Sequence, residues 1–193
     1  MIRKQQLEFI ESIAPAAQAS HKAHGVPASV IMAQAILESA WGQSALTRVA
    51  HNYFGIKNSP RWKDGYAQFL TTEFVGGKKK VEKADFEFFP TPAACFDAHG
   101  ELLSTLERYR PAMNDADDPL VFAARLQDCG YATDPQYAKK VVKLITDFKL
   151  TRFDSLTRGT EGRGGVRRVP KSRGERDAAL APATAFDQQQ DEE

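Results

Sequence analysis

The chain has 193 residues, 42% of them hydrophobic, which is enough for one soluble domain with its own core. A formal net charge of +1 excludes a strong global field toward nucleic acid or an anionic membrane. No apolar run approaches the ~20 residues of a membrane span, and the two cysteines, Cys95 and Cys129, form no CxxC metal pattern and read as a reduced pair.

Taken in chain order, residues 4–23 predict an amphipathic helix, because Leu7, Ile10, Ile13, Ala14 and Ala17 fall near one face. His21 and His24 share a face of it at spacing three and read as a solvated pair rather than a metal site. Gly25 caps this helix and Pro27 opens the next. That second helix, ASVIMAQAILESA, is apolar almost all round and is expected to be buried. A helical turn around 44–49 and the loop NYFGIKNSPRWKDGY follow. Residues 66–89 are rich in aromatics, Thr and Val around GGKKK, which predicts a β-hairpin. Further helices are expected at about 91–107, 118–128 and 135–148, with Asp134 as N-cap and Pro135 at the first helical position of the last. Beyond Asp154 large apolar residues almost vanish, so the reading is a domain at 1–152 and a disordered charged tail at 153–193. The domain is α+β and mainly helical.

Glu38 is the odd residue of the apolar helix, set among Ile36, Leu37, Ala40 and Trp41. Acids are rarely buried without a partner or a task. Burial and the C-terminal end of the helix dipole both raise a carboxyl pKa, and a carboxylic acid kept protonated near neutral pH is what general-acid catalysis requires. Gln34, four residues earlier, is placed to hold that carboxyl. The bland alternative is a solvated Glu38 at the helix rim. The hairpin adds Glu73, Glu82, Asp85 and Glu87, any of which would serve as the second acid of a glycosidase or belong to a solvated face. Tyr53, Phe54, Trp62, Tyr66, Tyr131 and Tyr137 are candidates to stack on sugar rings or to pack the core, with core the default for Phe54. Tyr131 is expected on a loop just before the last helix.

AQAILESAWGQSAL, NYFGIK, TTEF and DCGYATDPQYAKKV stand in this order. In order and spacing they resemble the N-acetylglucosaminidases of glycoside hydrolase family 73, most closely the flagellar type, over roughly residues 5–148. The resemblance implies a lysozyme-like fold with a helical lobe and a small β-hairpin lobe. It implies cleavage of the β-1,4 bond after N-acetylglucosamine in peptidoglycan, with no cofactor. It also implies roles for three residues: Glu38 as general acid, Glu73 of the TTE motif as second carboxylate and Tyr131 of GYATDP in catalysis or substrate positioning. Gln34, Tyr53, Phe54, Trp62 and Tyr137 are the candidate substrate contacts.

The resemblance also has departures. No secretory signal is read at the N-terminus, and no rod-capping domain or wall-binding repeat accompanies the hydrolase, so a phage enzyme or an effector with its own export route is the expected setting. The expected partner is the glycan strand, with no nucleic acid, the expected state is a monomer, and the expected site of action is the periplasm or cell wall. A muramidase or lytic transglycosylase on the same fold, or a wall-binding module without activity, are the rival readings.

Overall fold

The spacing of apolar residues in the first helix gives it one buried face, and the second helix, apolar all round, sits beneath it. A computed structural model of the chain describes residues 2–59, 65–75 and 78–155, and the side chains of 71–82 lie outside the described residues. Helix α1 spans Ile2–His24 and buries Ile10, Ile13, Ala14 and Ala17. Helix α2, Ala28–Glu38, is buried continuously from Ala28 to Ile36. It packs against α1 on one side and against the later helices on the other. Its first turn would leave backbone N–H groups unpaired. Asp154, from the far end of the folded chain, supplies an acceptor: its Oδ1 receives the Ser29 N–H at 2.7 Å. The folded body therefore extends through Asp154, two residues past the expected boundary at 152, while 156–193 lie outside the described residues.

Helix α3, Ala45–Ala50, starts at Ser44, whose side chain accepts from the Thr47 N–H. The hairpin follows as expected, with β1 at Tyr66–Val75 and β2 at Lys78–Glu87. The strands run antiparallel in a register that pairs Ala67 with Phe86, Gln68 with Asp85 and Glu73 with Lys80. Ala67, Phe69, Ala84 and Phe86 pack on Leu46 and Ala50 of α3. Side chains alternate across a strand, so the opposite face of β1 carries Tyr66 and Leu70, both 60% exposed.

The hairpin is tied to the helices through NYFGIK. Buried Asn52 receives the Ile56 N–H at 3.0 Å and donates from Nδ2 to the Ile56 and Glu87 carbonyls, each at 2.9 Å. The Glu87 N–H also donates to the Ile56 carbonyl at 2.9 Å. One amide thus satisfies three backbone groups at the junction of the two lobes.

Helix α4, Pro92–Thr105, crosses α1 closely. Gly100 permits the approach, because a Cβ there would run into the Ser20 hydroxyl and the His24 ring. A 3₁₀ turn at Glu107–Tyr109 and a short α5 at Arg110–Met113, neither expected from the sequence, bridge to α6 at Pro119–Asp128. Helix α7 is Tyr137–Asp147. Its start corrects the expectation of Pro135 as the first helical residue. Asp134 does not cap α7. Its side chain receives the Gln136 N–H and its carbonyl receives that of Tyr137, so Pro135 lies in a turn before the helix. His21 and His24 do not act as a pair: His21 Nδ1 meets the Val26 carbonyl and His24 Nε2 meets Asp97 at 2.7 Å. Both cysteines are free, Cys95 being buried in α4.

Candidate active site

Glu38 is the last residue of α2, where the chain leaves the core. Ser39 is buried and its hydroxyl bridges the Ala35 carbonyl and the Gly42 N–H, which fixes the turn. Ala40, Trp41 and Gly42 then take φ of 49°, 61° and 75°. Non-glycine residues rarely hold such angles without support from their surroundings. The support here is packing: Trp41 sets its edge against Phe148 with centroids 5.1 Å apart, and a Cβ on Gly42 would come within 2.6 Å of Phe9. The sharp left-handed turn follows directly and leaves Glu38 as the last residue of α2, only partly exposed.

The loop before α7 and its first two turns surround that carboxyl. Tyr131, Asp134, Tyr137 and Lys140 all interact electrostatically with Glu38. Burial pushes the Glu38 pKa up to about 8; Lys140 works against this and Asp134 adds to it. Lys140 and Asp134 pair with each other at 2.8 Å. The result is an acid that holds its proton at neutral pH while sitting where α2 emerges.

Beneath it lies a chain of buried polar side chains. Gln34 Nε2 donates to the Tyr137 hydroxyl at 2.7 Å. The Tyr137 and Tyr131 hydroxyls interact, with ring centroids 5.2 Å apart. His99 Nε2 lies 3.1 Å from the Tyr131 hydroxyl, and its ring stacks on Phe54 at 3.8 Å. Burial pushes both tyrosines well above the ordinary phenol range.

Comparison with known proteins settles the family. The family model described as mannosyl-glycoprotein endo-beta-N-acetylglucosaminidase matches residues 14–150. The chain belongs to glycoside hydrolase family 73. It is 40% identical over 141 residues to peptidoglycan hydrolase FlgJ of Pseudomonas aeruginosa, covering 71% of this chain and 35% of that protein. It is 34% identical to exo-glucosaminidase LytG of Bacillus subtilis, covering 79% of this chain and 55% of that one. The chain thus spans only part of the length of these relatives. Among solved structures, the catalytic domain of the autolysin Auto from Listeria monocytogenes superposes with a TM-score of 0.69 at 32% identity, over 78% of this chain and 88% of that one. The α+β, mainly helical arrangement with its small hairpin is that of the family's lysozyme-like domains.

Within this family 73 domain, the residues singled out from the sequence fall in different places. Glu38, Tyr131, Tyr137 and Gln34 are brought together. The expected Gln34–Glu38 contact is replaced, since the Gln34 amide donates to Tyr137, where it can hold a buried hydroxyl that would otherwise lose its water. Tyr131 is not presented on a loop surface. It is 2% exposed, because its N–H bonds to the Leu126 carbonyl and the loop folds its ring inward. Tyr137, at 2% exposure, and Phe54, at 0%, are likewise interior. Tyr53 is half-buried between Phe9 and Phe96. Trp62 lies outside the described residues, as do the side chains of Glu73 and Glu82; in the ladder Glu73 stands opposite Lys80 and Glu82 opposite Thr71. Asp85 is exposed and accepts from Gln68, whereas Glu87 is 1% exposed at the hairpin base.

Three residues at the site escaped the sequence reading as functional: His99, Asp134 and Lys140. A signal existed for His99, which continues the apolar stripe of Cys95, Phe96, Leu102 and Leu103 at helical spacing. None existed for Lys140, whose importance comes only from the packing of α7 against α2.

Proposed function

We propose that this domain cleaves the glycan strands of peptidoglycan after N-acetylglucosamine, acting within the strand as an endo-glycosidase. The observation that carries the reading is Glu38, an acid at the mouth of the core whose pKa stands at about 8 because burial penalises its charge. Membership of family 73 and relatives named as peptidoglycan hydrolase and exo-glucosaminidase add support. The chain's site of action is accordingly the periplasm or cell wall.

In the proposed mechanism, protonated Glu38 gives its proton to the glycosidic oxygen as the bond to the anomeric carbon breaks. The sugar gains oxocarbenium character. Glu73 activates a water, or stabilises the positive charge while the substrate's own acetamido group assists. Tyr131, uncharged, orients the acetamido group or stabilises the developing charge. Glu38, now a carboxylate, regains a proton from solvent before the next turnover.

Mass spectrometry of fragments released from purified peptidoglycan tests this. Reducing-end N-acetylglucosamine is expected with the wild type and not with Glu38→Gln. Reducing-end muramic acid would make the protein a muramidase, and anhydro-muramic ends a lytic transglycosylase. Binding to insoluble wall without release of sugar would reduce it to a binding module.

A further inference from the structure

We infer that His99 is a positioning residue for Tyr131, donating from Nε2–H to the phenol oxygen and so fixing where the Tyr131 proton points. The inference rests on the proposed role of Tyr131 for its catalytic consequence, but not for its geometry.

His99 lies on α4, 3% exposed, in a stripe otherwise made of Cys95, Phe96, Leu102 and Leu103. Its ring stacks flat on Phe54, a contact a phenyl ring would make as well. Its one polar contact among the described residues is to the Tyr131 hydroxyl, and Nδ1 is buried with no hydrogen-bond partner there. A buried imidazole with an unused nitrogen is less stable than an apolar ring of the same shape. Packing alone would therefore favour phenylalanine, and what the histidine adds is its bond to Tyr131.

The same atoms fix the tautomer. Burial drives the His99 pKa down to about 3, so the ring is neutral with a single N–H. Placing that proton on Nδ1 would strand a buried donor, which folded proteins avoid more strictly than a stranded acceptor. The proton belongs on Nε2, which donates to Tyr131. The Tyr131 hydroxyl interacts in turn with that of Tyr137, which receives the Gln34 amide, so the His99 bond joins a polar chain that leads toward α2. His99 touches no reacting atom in this scheme and acts through Tyr131.

Two measurements on the full chain test it. In kinetics on solubilised glycan strands, His99→Phe is expected to lower kcat about tenfold with KM within about twofold, in the range of residues that orient catalytic groups. His99→Gln, which keeps a donor, is expected to recover most of the loss. In a Tyr131→Phe background, adding His99→Phe is expected to change kcat by less than about twofold. An equal loss in both backgrounds, or no loss in the single variant, would overturn the inference. The second readout is the ¹⁵N spectrum of His99, which needs no activity. The expected signature is a protonated Nε2 and an unprotonated Nδ1, with Nε2 moving in Tyr131→Phe. A protonated Nδ1 would refute the assignment. Wild-type protein that releases no sugar but shows the expected spectrum would sink the proposed function and leave the positioning contact standing.

Discussion

Two acids, Glu38 at the end of α2 and Asp85 in the hairpin, stand in opposite surroundings. In α2 a single carboxyl, Glu38, stands two residues past a run of nine buried ones, and its surroundings raise its pKa to about 8. In the hairpin, Asp85 is exposed and accepts a hydrogen bond from the Gln68 amide. The helical lobe thus holds an acid that keeps its proton, while the hairpin sets Asp85 at the surface. A two-carboxylate glycosidase needs one acid that keeps its proton beside one that does not.

The largest break in the comparison should come from Glu38→Gln. Cleavage of peptidoglycan is expected to fall about 10²–10⁴-fold, with circular dichroism unchanged; near-full activity would remove Glu38 from the mechanism. Stability should divide the lobes in the same way. Ile31→Ala in the core of α2 is expected to lower stability by about 2–5 kcal/mol in urea unfolding. Leu70→Ala, on the 60% exposed face of β1, is expected to stay within about 0.5 kcal/mol.

A third effect sharpens the comparison through pH. The folded pKa of Glu38, about 8, lies above its unfolded value near 4.5, so the folded state holds a proton that the unfolded chain releases between those values. Wild-type stability should therefore fall as pH rises through this window. Glu38→Gln lacks that slope: it is expected to match wild type near pH 4 and to exceed it by a few kcal/mol above pH 8. Parallel stability curves would contradict the buried acid.

At the junction, Asn52→Ala removes the amide that satisfies three backbone groups, with an expected loss of about 1–3 kcal/mol by thermal unfolding. The smallest effect is electrostatic. Removing Lys140 is expected to raise the alkaline limb of the kcat/KM profile by a fraction of a pH unit, and Asp134→Asn to lower it, because Lys140 favours the Glu38 carboxylate and Asp134 opposes it.

Much of this was legible in the sequence because it is local. Apolar spacing located α1 and α2, the GGKKK connector located the hairpin, and Glu38 stood out as a charge in an apolar run. What was not legible depends on contacts far apart in sequence. Gln34 sits four residues from Glu38, yet its amide goes to Tyr137, 103 residues away. Asp154 supplies the acceptor at the start of α2 from 125 residues away. Asp134 and Pro135 read as a helix start, and a turn before α7 took them instead. Tyr131 carried a loop signal but was drawn inward by Leu126 and His99, partners that neither periodicity nor capping rules reveal.

The central claim is that Glu38 is a carboxylic acid, not a carboxylate, at neutral pH. The most direct test is a ¹³C titration of the glutamate side-chain carboxyls, with Glu38 assigned by its loss in Glu38→Gln. A midpoint near 8 is predicted. A midpoint near 4.5, the value of an ordinary solvated glutamate, would contradict it.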